Sequence, residues 1–383
     1  MATSMKWLPY GRQDIREDDI AAVVEVLRSD WLTTGPTVPA FEKALAKVVG
    51  AMDAVAVSSG TAALHAAYAA LGIGPGDEVI VPAITFAATS NAALYLGARP
   101  VFADVESDTL LVDPEDVERK ITARTRAIVA VDYGGQPCDY DVLRDIARAH
   151  DLPLVADACH SLGAVFRGRP AGSLADLTAF SFHPVKTITT GEGGMVTTSD
   201  PDRARWLRAF RNHGITTDHH ERSESGTVSY DMVLLGYNYR LTDFQAVLGM
   251  SQLTRLDEIL ARRRALAALY DRKLAALAHI RSLRRLPERS HANHLYVVRV
   301  DTEALGLSQG QALSKLRGAG LRPNVHYRPP YLHPYYRDRL ATSEGLCPIA
   351  EEAARHIVTL PLFPQMAESD VDHVLEALRN LSR

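Results

Sequence analysis

Four short segments hold side chains whose types and order could do chemistry: Ser58-Ser59-Gly60-Thr61-Ala62-Ala63-Leu64, Asp157-Ala158-Cys159-His160, Ser181-Phe182-His183-Pro184-Val185-Lys186 and Gly236-Tyr237-Asn238-Tyr239-Arg240. A lone lysine in a loop is usually a solvated charge. Lys186, however, sits in an apolar, hydroxyl-rich stretch with no adjacent carboxylate and a Gly-rich run just after it. Such a setting lowers a lysine pKa and favours the neutral, nucleophilic amine. Asp157 closes an apolar run at 153–156. A carboxylate at the carboxyl end of a strand either caps a loop or faces a ligand. Toward a ligand with a pyridinium nitrogen it would hold the proton there and keep the ring an electron sink. Ser59-Gly60-Thr61 joins a strand candidate to a helix candidate. The free N–H groups and the dipole of a helix start favour an anion, so this turn can be a phosphate cradle; on its own, an ordinary N-cap is the better explanation. Ser181 could donate to the same phosphate as Thr61.

These side chains need a scaffold that gathers them. Strand candidates at 54–57, 78–81, 100–103, 127–131 and 153–156 alternate with helix candidates at 61–71, 86–96 and 139–150, after a first helix at 18–28. Such alternation predicts βαβ units and a mostly parallel sheet, the α/β class. Residues 178–182 and 194–198 add two more strands. The pattern changes near Leu241. From there to about 274 the chain is rich in Ala, Leu, Arg and Glu and predicts a long helix with room for a break. A strand at 294–300, a helix at 308–318, an extended piece at 322–325 and a closing helix at 368–381 follow. Two domains are expected, 1–250 and a smaller 251–383. The polar segment 216–229 is expected to be a mobile loop.

Bulk properties exclude several classes. With 383 residues, 46% hydrophobic and 23% charged, the chain can bury a large core. A net charge of −4 gives no basic stripe for nucleic acid. The triplet Arg262-Arg263-Arg264 reads as a solvated helix face. Three scattered cysteines make neither a disulfide framework nor a zinc pattern. No signal-peptide stretch and no apolar run of membrane-spanning length are seen, so a soluble, cytoplasmic protein without membrane partner is expected. His291 with His294, and the pair His219-His220, lack the spacing or carboxylate company of a metal site and read as surface histidines, so no metal is expected. Gly72-Ile73-Gly74-Pro75-Gly76-Asp77 follows a helix and reads as a helix exit, not a dinucleotide loop.

The four segments in this order, with Gly191-Glu192-Gly193-Gly194, resemble the DegT/StrS family of sugar aminotransferases. The likeness runs from Leu32-Thr33-Thr34-Gly35-Pro36 to Val325-His326-Tyr327. It implies the aspartate-aminotransferase type fold (fold type I), with a large mostly parallel sheet domain, a smaller α+β C-terminal domain, and a homodimer with shared active sites. The implied cofactor is pyridoxal 5'-phosphate, held as a covalent Schiff base on Lys186, which later shuttles the proton. Asp157 would pair with the pyridine nitrogen. His160 would lie near the ring hydroxyl, and Phe86 would stack on the ring unless it is a core residue. Gly60, Thr61 and Ser181 would hold the phosphate, with Asn238 reaching in from the partner subunit. Within the family, Pro9-Tyr10-Gly11, residues 29–36, 131–137 and 181–194 look most like aminotransferases of pseudaminic acid biosynthesis. These aminate C4 of a UDP-linked 4-keto-6-deoxy-N-acetylhexosamine, usually with L-glutamate. Tyr10, Asp30, Trp31, Leu32, Thr33, Asn324, Val325, His326 and Tyr327 match positions that contact substrate there. Relatives that are dehydratases replace the lysine with histidine, so Lys186 favours transamination. Amination at C3, a cyclitol ketone, or a cofactor-binding regulator without turnover are the alternatives.

Overall fold

The computed structural model describes residues 7–217 and 229–382. The segment expected to be a loop at 216–229 falls almost wholly outside these residues, as do His219 and His220. Seven strands form the main sheet: β1 (Asp53–Val57), β2 (Glu78–Pro82), β3 (Arg99–Ala103), β4 (Thr125–Val131), β5 (Leu154–Asp157), β6 (Leu177–Ser181) and β7 (Gly194–Thr198). They lie in the order β1-β7-β6-β5-β4-β2-β3, all parallel except β7, which runs against both β1 and β6. Val55, Val79, Ile80, Val81, Ile128, Val129 and Val155 are completely buried. Near-continuous apolar runs of this kind suit strands covered on both faces. Helices in the crossovers between strands do the covering.

Helix α1 spans Glu17–Arg28, α2 Thr37–Val48 and α3 Gly60–Ala70. In α3 most residues from Gly60 to Tyr68 are buried, so this alanine-rich helix is apolar all round because it is enclosed. Helix α4 is Ala87–Tyr95, and α5, Tyr140–Ala149, starts on an Asp139 side chain that accepts from Val142 N. The Gly72–Asp77 stretch does leave α3 through a turn, closed by Gly74 N donating to Asp77 Oδ2 at 2.9 Å. After α6 (Pro201–Phe210), the expected long helix is two: α7 (Asp243–Leu253) and α8 (Leu256–Leu274).

A second, antiparallel sheet of three strands holds β8 (Ile280–Ser282), β9 (Tyr296–Val300) and β10 (Ile357–Leu360) in sequence order. It packs with α8, α9 (Gln309–Gly318) and α10 (Glu368–Arg379) around a separate core that includes Tyr270, Val298, Leu316, Leu360 and Leu375. Leu8 belongs to that core too, through the parallel pairing of Leu8–Pro9 with Leu321–Arg322. Helix α8 joins the parts: Leu256, Ile259 and Leu260 sit in a core with Phe41 and Phe182, while Leu266 to Leu274 serve the second core. We propose a division into 1–250 and 251–383 on this separation; the cut falls near the end of α7.

Two expectations fail. Arg263 is not on a solvated face. It is fully buried, and its Nη1 donates to the carbonyls of Leu362 at 3.1 Å and Asn293 at 3.3 Å. Its stem follows the apolar side of α8 while its neighbours Arg262 and Arg264 do not. His294 is buried, not on the surface, because the chain on either side of it bonds to Gly134 and Gly135 under the main sheet's edge. Among the described residues no helix is long and apolar enough to cross a membrane.

One buried ion pair ties α1 to the break between α7 and α8. Arg255 Nη1 and Nη2 reach Asp19 Oδ1 and Oδ2 at 2.7 and 2.5 Å, and Ser251 Oγ and Arg16 N also donate to that carboxylate. Asp19 is completely enclosed. Removing the cation from a pair like this strands a buried charge, so Arg255→Ala should cost about 3–5 kcal/mol of unfolding free energy. Urea unfolding measures it, and a loss below about 1 kcal/mol, the range of an exposed pair, would show that the pair is solvated.

Candidate active site

Three strand ends meet at one edge of the main sheet. β1 stops at Val57 and turns through Ser59 into α3, β5 stops at Asp157, and β6 stops at Ser181 and leads to Lys186. β7 begins at Gly194, paired with both Val57 and Ser181. A Cβ at 194 would lie 2.3 Å from the Ser59 carbonyl oxygen and 2.8 Å from Gly60 N. Only glycine lets the strand start beneath that turn. A Cβ at 60 would lie 2.7 Å from Ser181 Cβ and 3.3 Å from Cys159 Sγ. The three turns are therefore in van der Waals contact.

Beside this contact lies a cavity of about 590 Å³, within the range of small-molecule sites. Tyr10, Gly60, Thr61, Phe86, Asp157, His160, Ser181, Lys186, Asn324, Val325, His326 and Tyr327 all line it. Asn238 and Asp30-Trp31-Leu32-Thr33 do not. They are exposed and outside its lining; Thr33 bridges to Thr242, Asp243 N donates to Leu32 O and Gly35 N donates to Asp243 Oδ2, while Asn238 bridges to Asn212. Phe86 is 58% exposed, which rules out a core role; its ring stands 5.9 Å from that of Tyr327.

Each polar group has a defined setting. Thr89 Oγ1 donates to Asp157 Oδ2 at 2.7 Å and is itself 2.7 Å from Thr85 Oγ1; Cys159 N donates to Asp157 Oδ1 at 3.2 Å. Three groups thus orient the carboxylate. Burial pushes the Lys186 ammonium below its ordinary pKa, against the opposing pull of Cys159 and Asp157. Burial, and secondarily the Lys186 charge, pushes His326 down to about 3. His326 Nδ1 is 2.8 Å from Thr359 Oγ1, and Tyr133 OH donates to the His326 carbonyl. At the start of α3, Ser59 Oγ and O take the N–H groups of Ala62 and Ala63. The N–H groups of Gly60 and Thr61 have no partner within the helix and stand at the positive end of its dipole. The cavity thus combines a nucleophilic amine, a fixed carboxylate and an anion cradle.

The comparisons with known proteins agree. Residues 13–379 match the DegT/DnrJ/EryC1/StrS aminotransferase family. The chain belongs to this family. A relative from Bacillus subtilis (strain 168), spore coat polysaccharide biosynthesis protein SpsC, is 40% identical over 98% of this chain and 97% of its own length. Among solved structures, Spr1654 of Streptococcus pneumoniae, assigned as a sugar aminotransferase and solved in its PMP form, superposes with a TM-score of 0.92 at 34% identity, covering 98% of this chain and 99% of that one. Helicobacter pylori PseC, an aminotransferase involved in the biosynthesis of pseudoaminic acid, gives 0.92 at 29% identity with the same coverage. The fold of this aminotransferase is the fold type I α/β architecture.

Several residues of the aminotransferase cavity are given no role in it from sequence: His183, Glu192 and Cys159 on its wall, Thr89 behind Asp157, and His294. Cys159, His183 and Glu192 had a signal, being inside motifs. Among the described residues, no group of three or more His, Cys, Asp or Glu side chains could hold a metal ion.

The depressed Lys186 pKa gives a direct test. An amine reagent applied to the cofactor-free chain over a pH series should modify Lys186 with a midpoint below the ~10.4 of an ordinary lysine, followed by peptide mass mapping. A midpoint at or above that value would mean the amine is solvated.

Proposed function

We propose that the chain is a pyridoxal-phosphate aminotransferase that aminates C4 of a UDP-linked 4-keto-6-deoxy-N-acetylhexosamine with L-glutamate as donor, giving a 4-amino-4,6-dideoxy-N-acetyl-altrosamine of the pseudaminic acid type. The observation that carries the reading is that Lys186, Asp157 and the start of α3 face one cavity. The likeness to PseC supports the substrate class. The SpsC relative, named for spore coat polysaccharide biosynthesis, favours a second reading in which the sugar is destined for a polysaccharide; another nucleotide (dTDP or GDP) or a ketone at C3 is the alternative substrate there. A cyclitol ketone stands further off. Free, unpaired cysteines suit a cytoplasmic site of action.

The cofactor is pyridoxal 5'-phosphate, and the cavity fits it: glycine at 60 lets the helix start, with its free N–H groups, pack against Ser181 and Cys159, and an oriented carboxylate stands at Asp157. When bound, it supplies a carbonyl carbon that takes up the amino group and a ring that draws electrons from the reacting carbon. Lys186 Nζ would hold it covalently and, once freed by the amine of the donor, would carry the proton to and from the reacting carbon. Asp157 keeps the ring nitrogen protonated. Gly60 N, Thr61 and Ser181 bind the phosphate, Phe86 covers one ring face, and His160 stands by the ring hydroxyl. Tyr10 and residues 324–327 form the substrate side of the same cavity.

Asn238 and residues 30–33 complete the site from a second copy of the chain. Leu32, Leu235 and Met232 are 49%, 79% and 63% exposed on or beside that face. An apolar face of this kind calls for cover, and an isologous dimer supplies it. Arg240, whose Nη1 donates to Asn212 Oδ1 at 2.8 Å, lies on the same face.

Lys186→Ala should abolish amino transfer, and borohydride treatment of wild type should fix the cofactor on a peptide containing Lys186; label on another lysine sinks the assignment. Incubation with glutamate and a panel of UDP-, dTDP- and GDP-keto-sugars, read by mass, decides the substrate, and transfer only to non-UDP sugars would favour the second reading. Mixing tests the dimer. Inactive Lys186→Ala chains exchanged with weak Asn238→Ala chains should yield hybrids with one intact site and activity above either parent. No gain despite verified exchange would place Asn238 outside its neighbour's site.

A further inference from the structure

We propose that His294 is a positioning residue that holds the His160 imidazole in place at the wall of the cavity. The inference rests on the cofactor reading of that cavity. The His294 ring is 4% exposed and its centroid is 4.5 Å from that of His160, tilted by 41°. His160 is further held by its Nε2, 3.1 Å from Tyr327 OH. Both residues line or border the same space as Lys186.

The chain is built to keep the two rings together. Ala292 N donates to Gly135 O at 2.9 Å and Leu295 N to Gly134 O at 3.1 Å. Both glycines have positive φ, 64° and 107°, which side chains disfavour. A Cβ on Gly135 would lie 2.7 Å from the His160 carbonyl oxygen and 3.1 Å from Asn293 N. The Gly134-Gly135 turn is therefore wedged between the two histidine segments and fixes their spacing. The turn below His160 is anchored separately, by Ser161 Oγ donating to Asp132 Oδ2 at 2.6 Å.

The pair is also enclosed. Nδ1 of His160 and Nδ1 of His294 are buried without a hydrogen-bond partner among the described residues. Burial holds both imidazoles well below the ordinary histidine pKa, and the charges around them push the same way. His160 faces Lys186, His326 and His291; His294 faces Lys186, His160, Arg263 and His326. Asp157, on the same turn as His160, and Tyr327 complete the titratable surroundings. A neutral ring at 294 thus braces His160 without adding charge beside Lys186.

Ring and charge can be separated by substitution. His294→Leu and His294→Gln remove the ring, whereas His294→Phe keeps a ring that is never charged. The His160 imidazole is followed by NMR of histidine-labelled full-length chain, assigned with His160→Gln, across about pH 5–8. In wild type it should stay neutral throughout. Without the ring, water enters beside His160, and its pKa should climb toward the ordinary ~6.5. The half-reaction with glutamate should then slow about tenfold to a hundredfold, the scale of a small misplacement, and gain an acid limb. His294→Phe should keep the wild-type titration and a rate within about threefold, because it restores the brace. A wild-type titration and rate in both ring-less variants would overturn the proposal. So would a His294→Phe variant that melts like wild type yet behaves like the ring-less ones. The titration needs no turnover and can be run without cofactor. A wild-type chain that binds no pyridoxal phosphate would refute the cofactor reading instead.

Discussion

The site depends on a close approach that leaves no room for a Cβ. β7 enters the sheet antiparallel between β1 and β6, and its first residue lies directly beneath the Ser59–Gly60 turn. Glycine at 194 admits the strand, and glycine at 60 lets the helix start rest on Ser181 and Cys159. Were either turn to shift outward by a methyl group, the anion cradle and the Lys186 loop would move apart. The single reversed strand also explains where the lysine lies. The chain must leave β6 and double back into β7, and Lys186 sits on that return, above the strand ends where open α/β sheets bind ligands.

Behind that contact a second layer of polar groups sets orientation. Thr85, Thr89 and Asp157 form a chain of short bonds on one side. On the other, the completely buried Asp132 accepts from Ser161 Oγ at 2.6 Å, Tyr140 OH at 2.9 Å and Cys138 N at 3.0 Å. Burial still pushes the Asp132 carboxyl up to about 6, the nearby Asp157 adding to it. A fully bonded carboxylate in so dry a place is costly and rigid, and rigidity is what the 157–161 turn requires. The turn carries both Asp157 and His160, so an error there would misplace two groups at once.

Much of this was readable from residue types. Lys186 and Asp157 stand at the ends of apolar runs, and a strand end is a local property. So is the glycine-rich start of α3. The expected strands 54–57, 78–81 and 127–131 lie within β1, β2 and β4, because buried parallel strands are apolar without alternation. Helix α2 was not readable. Gly35, Pro36 and Pro39 look like breakers, yet Pro36 is its N-cap and Pro39 lies in its first turn, where a missing N–H costs nothing. His294 and Arg263 were misread for a different reason. Arg263 lies between two arginines and His294 follows an asparagine, and their burial comes from Gly134, Gly135 and Leu362, far along the chain. No window of sequence contains that contact.

The residues that the cavity lacks are as informative as those it holds. Asn238 and Asp30-Trp31-Leu32-Thr33 are all exposed, and the second segment is clamped by Asp243, whose carboxylate takes the N–H groups of Gly35 and Thr37 while its own N–H bonds Leu32 O. The turn that follows residues 30–33 is therefore tied to the start of α7. In the proposed two-fold dimer Asn238 and this segment would both be presented to the neighbour's cavity. A phosphate contact through Asn238 and a sugar contact through residues 30–33 would then form together, so grip on the cofactor and recognition of the substrate share one docking event. Each cavity supplies the amine, the carboxylate and the helix start from its own chain, and those three already sit in place before any second copy arrives. In the proposed dimer a second copy would add retention and selection, while the amine, the carboxylate and the helix start belong to a single fold.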